Sequence, residues 1–185
     1  SDLDNLIAFK KDGSMVVTKT ANKSFVGKDI IHVAVFKKND DRTIYNMIYR
    51  DNVSNKSYIK RFPVKGVTRD KQYLLAGSNN ATVLYFTANK NGEAELVSVI
   101  LRAKAKLKKL KFDINFKDVL IKNRSVRGNI LTPHNINRVE LKSKGISTLS
   151  GKKIWYDNSI NRLNEDARGE FLGEFMADDK IIIIS

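Results

Sequence analysis

Side chains able to break bonds are scarce in this sequence, while side chains able to hold an anion are abundant. With no cysteine there is no thiolate nucleophile, no disulfide framework and no Cys-based zinc site, and two histidines are too few for a His-rich metal centre. His32 sits in an apolar run between Ile31 and Val33, the setting of a surface or satisfied core histidine rather than a general base. His134 follows Pro133 in a polar turn and is expected to be solvated. Asp178-Asp179 reads as a negatively charged turn, not a metal site. The sequence has no Gly-rich phosphate loop, no paired His at helical spacing, no nucleophile elbow and no calcium-loop spacing. No catalytic residue and no metal ligand is therefore expected.

The cations point elsewhere. Across 185 residues, 34 Lys and Arg stand against 20 Asp and Glu, a net charge of +14. Such a surface attracts polyanions, because every phosphate neutralised by Lys or Arg releases a condensed counterion. The segment from Lys122 to Asn129 places Lys122, Arg124 and Arg127 just ahead of Gly128, a turn that lets backbone approach a phosphate. Lys60-Arg61, Lys65 and Arg69 surround Phe62-Pro63; Lys108, Lys109 and Lys111 form a third group; Lys142, Lys144, Lys152 and Lys153 flank Gly145 and Gly151. The residues expected to contact nucleic acid are Lys60, Arg61, Arg69, Lys122, Arg124, Arg127, Lys142, Lys144, Lys152 and Lys153.

The elements that carry these residues read as β-strands. Leu6 to Phe9 leads into the turn signal Lys11-Asp12-Gly13 and returns through Ser14 to Thr18. Further short runs cover 30–36, 43–49, 57–62, 82–87, 95–101, 110–116, 139–141, 153–156, 171–175 and 180–184. Leu110, Phe112, Ile114 and Phe116 alternate with polar residues, so a strand there has one apolar face. A basic amphipathic helix over 103–110 competes, but no N-cap residue precedes Arg102. The terminal strand, rich in isoleucine, is expected to pair near the N-terminal hairpin, since an exposed edge of that composition invites aggregation.

A short motif recurs as Val26-Gly27-Lys28-Asp29, Val67-Thr68-Arg69-Asp70, Val126-Arg127-Gly128-Asn129 and Ala167-Arg168-Gly169-Glu170, separated by 41, 59 and 41 residues. Units of about 40–50 residues, each with a few short strands, are propeller blades. The fold class expected is all-β: a propeller-like disc of about four blades formed by one domain spanning 1–185. No apolar run approaches the roughly 20 residues of a membrane helix. The lack of cysteine suits a reducing cytoplasm. The chain opens at Ser1 without a leader pattern and is expected to be a piece of a longer protein.

Segments spread along the chain resemble the C-terminal domain of the A subunit of bacterial type IIA topoisomerases, gyrase and topoisomerase IV, in particular the Bacteroidetes form. The similarity is carried by Leu6–Gly13, Tyr45–Asp51, Ser57–Phe62, Gly66–Asp70, Leu84–Asn89, Gly92–Glu95, Glu140–Gly145, Arg162–Asn164 and Gly173–Phe175. The resemblance implies a β-pinwheel that exchanges strands between blades and bends duplex DNA round a basic rim. It also implies the topoisomerase B subunit of the full enzyme as a partner, and ATP and Mg used by that enzyme but no cofactor in this domain. The gyrase box Gln-Arg-Arg-Gly-Gly-Lys-Gly has no full match; Asn123 to Gly128 keeps two cations and the final glycine. That departure favours the topoisomerase IV type. The nucleophilic tyrosine of the family belongs to a breakage domain outside this stretch, so none of the six tyrosines is expected to be catalytic. A competing reading is a propeller-like protein-interaction module whose basic face meets an acidic partner.

Overall fold

A computed structural model describes residues 5–20, 26–78, 80–180 and 182. The described residues form β1 (Asn5–Lys10), β2 (Ser14–Lys19), β3 (Ile30–Phe36), β4 (Ile44–Asp51), β5 (Ser57–Pro63), β6 (Gln72–Leu74) and β7 (Ala81–Asn89). There follow β8 (Leu96–Leu101), β9 (Lys111–Asn115), β10 (Asn129–Thr132), β11 (Ile136–Ser143), β12 (Lys152–Asp157), β13 (Arg162–Asn164) and β14 (Glu170–Phe175). One 3-10 turn, Phe116–Asp118, is the only helical element among them.

Four antiparallel sheets match the expected number of blades, and one plan repeats: a hairpin, a third strand beside its first strand, and a fourth beside its second. In the first sheet β3 flanks β1 and β6 flanks β2; in the second β7 flanks β4 and β10 flanks β5. The fourth strands arrive out of turn. The chain leaves β5, adds β6 to the first sheet and returns to the second as β7; likewise it leaves β9, adds β10 to the second sheet and returns as β11. This is strand exchange between neighbouring blades. The third sheet (β11-β8-β9) and the fourth (β13-β12-β14) have three strands each.

The recurring motif falls at one topological position. All four copies follow the second hairpin strand and lead into the next strand: β3, β6, β10 and β14. Asp29, Asp70 and Ala167, one in each of three copies, have φ of 54°, 58° and 61°, the left-handed conformation that turns the chain sharply.

The second sheet is the middle layer. Tyr45, Met47, Tyr49, Tyr58 and Phe62 pack against Ile7, Phe9, Met15 and Val17 of the first sheet. From the opposite face, Ile48 and Ile59 pack with Val97, Val99, Leu101 and Phe116 of the third unit. Since side chains of a strand point alternately to its two faces, a strand covered on both sides is apolar throughout, and β4 is buried at nearly every position. Each large side chain buried this way stabilises the fold by about 1.5–3 kcal/mol. The fourth sheet joins by polar contacts: Arg42 donates to the Ser150 carbonyl, the Ala177 amide donates to Asn91 Oδ1 at 3.0 Å, and Lys90 pairs with Asp178 at 2.9 Å.

Two expectations change. The segment 103–110 is irregular, with Lys106 at φ 70°, so the helical alternative is excluded. The alternating strand ends at Asn115, and Phe116 begins the 3-10 turn while keeping its side chain in the core. The terminal strand expected over 180–184 lies mostly outside the described residues; Lys180 and Ile182, which are described, carry no strand.

Candidate nucleic-acid interface

Lys60 and Arg61, expected on an exposed rim, are instead 4% and 2% accessible. Adjacent residues on a strand face opposite ways, so each is driven into a different blade junction. Lys60 Nζ donates to the carbonyls of Leu75 (2.9 Å), Arg124 (2.7 Å) and Val126 (2.7 Å), using its three donors. It also lies 4.8 Å from the Phe62 ring centroid. Burial pushes its pKa down to about 8. Arg61 faces the third sheet and donates to Asn46 Oδ1 (3.0 Å), the carbonyls of Phe116 (3.3 Å) and Gly92 (2.7 Å), and Thr148 Oγ1 (3.0 Å). Burial lowers the guanidinium pKa and the charge of buried Glu95 opposes the shift. Both side chains are buried staples, not rim residues: β5 is covered on both faces, which its local charge does not reveal.

Strand exchange brings another set together. Arg69 is exposed in the connector to β6, whose Tyr73 Oη accepts the Thr68 N–H at 2.8 Å. Hydrogen bonding with Thr68, through its side chain first and then its backbone N–H, holds the Tyr73 hydroxyl below its usual pKa. The Arg124 guanidinium lies 4.8 Å from the Tyr73 ring and Lys71 Nζ 5.6 Å. Three residues on, Arg127 stacks 4.4 Å from Tyr58 and pairs with Asp51 Oδ2 at 2.8 Å while remaining about half exposed. The Gly128 N–H donates to Tyr49 Oη at 3.2 Å, and a Cβ there would lie 2.7 Å from the Ile59 carbonyl oxygen, so only glycine lets the connector pass so close to β5. Lys122 is exposed and donates to Asn129 Oδ1 at 3.1 Å. Lys65, Lys122 and Arg124 line a groove of about 370 Å³ floored by Pro63 and Ile121.

The remaining expected residues lie on later sheets. Lys142 on β11 pairs with Asp113 at 2.7 Å, and Lys152 on β12 with Glu165 at 3.0 Å. Lys144 and Lys153 are exposed. Lys71, Tyr73 and Tyr58 escaped the sequence reading as site residues; the signal was an aromatic residue two positions from a cation, Tyr58 before Lys60 within β5 and Tyr73 after Lys71 at the entry to β6.

His32 is half-buried among Phe9, Tyr45 and Phe86, where burial lowers its pKa; its buried Nε2 has no hydrogen-bond partner among the described residues, so it is neither the surface nor the satisfied core histidine expected, and His134 is exposed. Asp179 accepts the Met176 N–H at 2.7 Å, closing a turn. No group of three or more metal-ligating side chains occurs among the described residues, and no helix among them is long and apolar enough to cross a membrane.

The family model for the topoisomerase C-terminal domain of Bacteroidota matches residues 1–144, so the chain belongs to that family, and its four antiparallel sheets with exchanged strands are consistent with it. The match covers the first three sheets and ends before β12. Among characterised proteins, the A subunit of DNA topoisomerase 4 from Borreliella burgdorferi is 28% identical over 140 residues, 75% of this chain and 21% of that protein. The chain thus spans about a fifth of that relative's length. No solved structure matches it significantly.

Proposed function

We propose that this domain binds and bends double-stranded DNA without itself doing chemistry, as the C-terminal part of a topoisomerase IV-type A subunit. The observation that carries the proposal is the gathering of Arg69, Lys122, Arg124 and Arg127, with Lys65 and Lys71, by two exchanged strands on a chain of net charge +14. Arginines laid flat on aromatic rings present N–H groups at their edges to phosphate oxygens, those of Arg127 being shared with Asp51, and contacts of this kind position a duplex without reading its sequence. Lys142, Lys144, Lys152 and Lys153 on the third and fourth units would extend the contact along a longer duplex. The parent enzyme, acting in the bacterial cytoplasm with its B subunit, would supply strand passage and the ATP and Mg dependence. The isolated domain should neither cleave nor relax DNA.

The test is equilibrium binding to duplexes of unrelated sequence over a salt series. A steep fall of affinity with salt and little sequence preference support the reading. Salt-insensitive or absent DNA binding, together with tight binding to an acidic polypeptide, would favour the protein-interaction module instead.

A further inference from the structure

Lys60 is spent on neither surface charge nor an ion pair; no carboxylate among the described residues pairs with it. Its ammonium holds the Leu75 carbonyl, just after the strand that the second unit gives to the first sheet. It also holds the Arg124 and Val126 carbonyls, just before the strand that the third unit gives to the second sheet. One buried charge therefore fastens two strand exchanges at a single point. The fastened stretch is the one whose side chains, Arg124 and Arg127, lie on Tyr73 and Tyr58. Tyr58, Lys60 and Phe62 share one face of β5, so this face both supports Arg127 and anchors the backbone between the two arginines.

We infer that Lys60 is a positioning residue for DNA binding: without touching DNA, it fixes the Arg124–Val126 backbone so that both arginines are ordered before a duplex arrives. The inference rests on the proposed DNA-binding reading. Ordering long side chains during binding rather than beforehand lowers affinity. For two arginines released together the expected loss is about tenfold.

Lys60→Met keeps an unbranched side chain one atom shorter and removes all three donors. In the DNA-free protein, the Nε–H resonances of Arg124 and Arg127, shifted in the wild type by the tyrosine rings, should collapse toward solvent-exposed values while the strand content and a cooperative melt persist. Affinity for a duplex should fall about tenfold, and the same substitution placed on Arg124→Ala with Arg127→Ala should cost no further affinity. Unchanged arginine resonances and affinity would overturn the inference, as would an equal loss in the double-arginine background. If Lys60→Met does not fold, Lys60→Gln, which retains two donors, is held to the same criteria. Should the wild type bind no DNA, the proposed function fails, yet the resonance shifts still report whether Lys60 orders the arginines.

Discussion

Arg61→Met should destabilise the domain severely while Arg127→Ala barely does, although both remove one arginine of the basic set. Arg61 makes four hydrogen bonds at 2% accessibility, and its charge faces buried Glu95. Methionine fills much of the space but leaves Asn46 Oδ1 without that donor and Glu95 without compensating positive charge. Hydrogen bonds from a charged donor contribute about 1.5–3 kcal/mol each. Relief of guanidinium desolvation offsets part of the loss, and removing one partner of a buried charge arrangement costs about 3–5 kcal/mol net. At about 2–4 °C per kcal/mol for a chain of this size, Tm should fall by about 10–15 °C. Arg127, half exposed with one ion pair to Asp51, should change stability by under about 1 kcal/mol. Thermal unfolding followed by circular dichroism at fixed salt and pH measures both. If Arg61→Met melts within about 3 °C of Arg127→Ala, Arg61 is not a staple between the second and third sheets and the placement of β5 is wrong.

Arg124→Ala combined with Arg127→Ala should weaken binding alike for unrelated sequences and lower the salt slope by about two, at roughly 0.9 per lost phosphate contact; competition titrations over a salt series check this. The loss should be larger on a duplex long enough to reach several sheets than on a short one, and equal losses would reduce the basic set to a local patch. Lys142→Gln with Lys152→Gln should weaken DNA binding less than that pair, because Asp113 and Glu165 neutralise both lysines, whereas of the two arginines Arg127 alone has a carboxylate partner among the described residues, Asp51. The Asp51 carboxyl is held below the usual range by the Val53 N–H first, then by the Ser54 hydroxyl and Arg127. Its stabilising contribution is present above the unfolded value near about 4 and is lost as pH falls through the lower folded value. Acid unfolding of Asp51→Asn should therefore be shallower below about pH 4.

Much of the fold is legible because it rests on local signals. The β1–β2 hairpin announces itself in Asp12-Gly13, and in the structure Asp12 Oδ1 accepts both the amide and the hydroxyl of Ser14. The recurring Val/Ala-base-Asp/Asn/Glu motif marks the exit from each hairpin, and its placement before β3, β6, β10 and β14 explains why a loose pattern recurs at all. The strands β6, β10 and β13 are harder to see, having three or four residues and, for the first two, a pairing partner far away in sequence, as for Tyr73 with Met15 and Ile130 with Tyr58. The candidate site is legible only as charge. Which cations reach solvent depends on which face of β5 meets which sheet, a property of the exchange and not of residues 60 and 61. The same holds for Tyr73, which meets Arg124 only because β6 joins one sheet and the Arg124 connector crosses to its neighbour.

Energy transfer between dyes at the two ends of a duplex long enough to span several sheets tests the central claim most directly. Binding of the wild-type domain should bring the ends closer at moderate salt, and Arg124→Ala with Arg127→Ala should reduce that contraction even when enough protein is added to saturate the duplex. A saturated duplex whose ends stay as far apart as in free DNA, or one that contracts equally with the variant, would contradict the account.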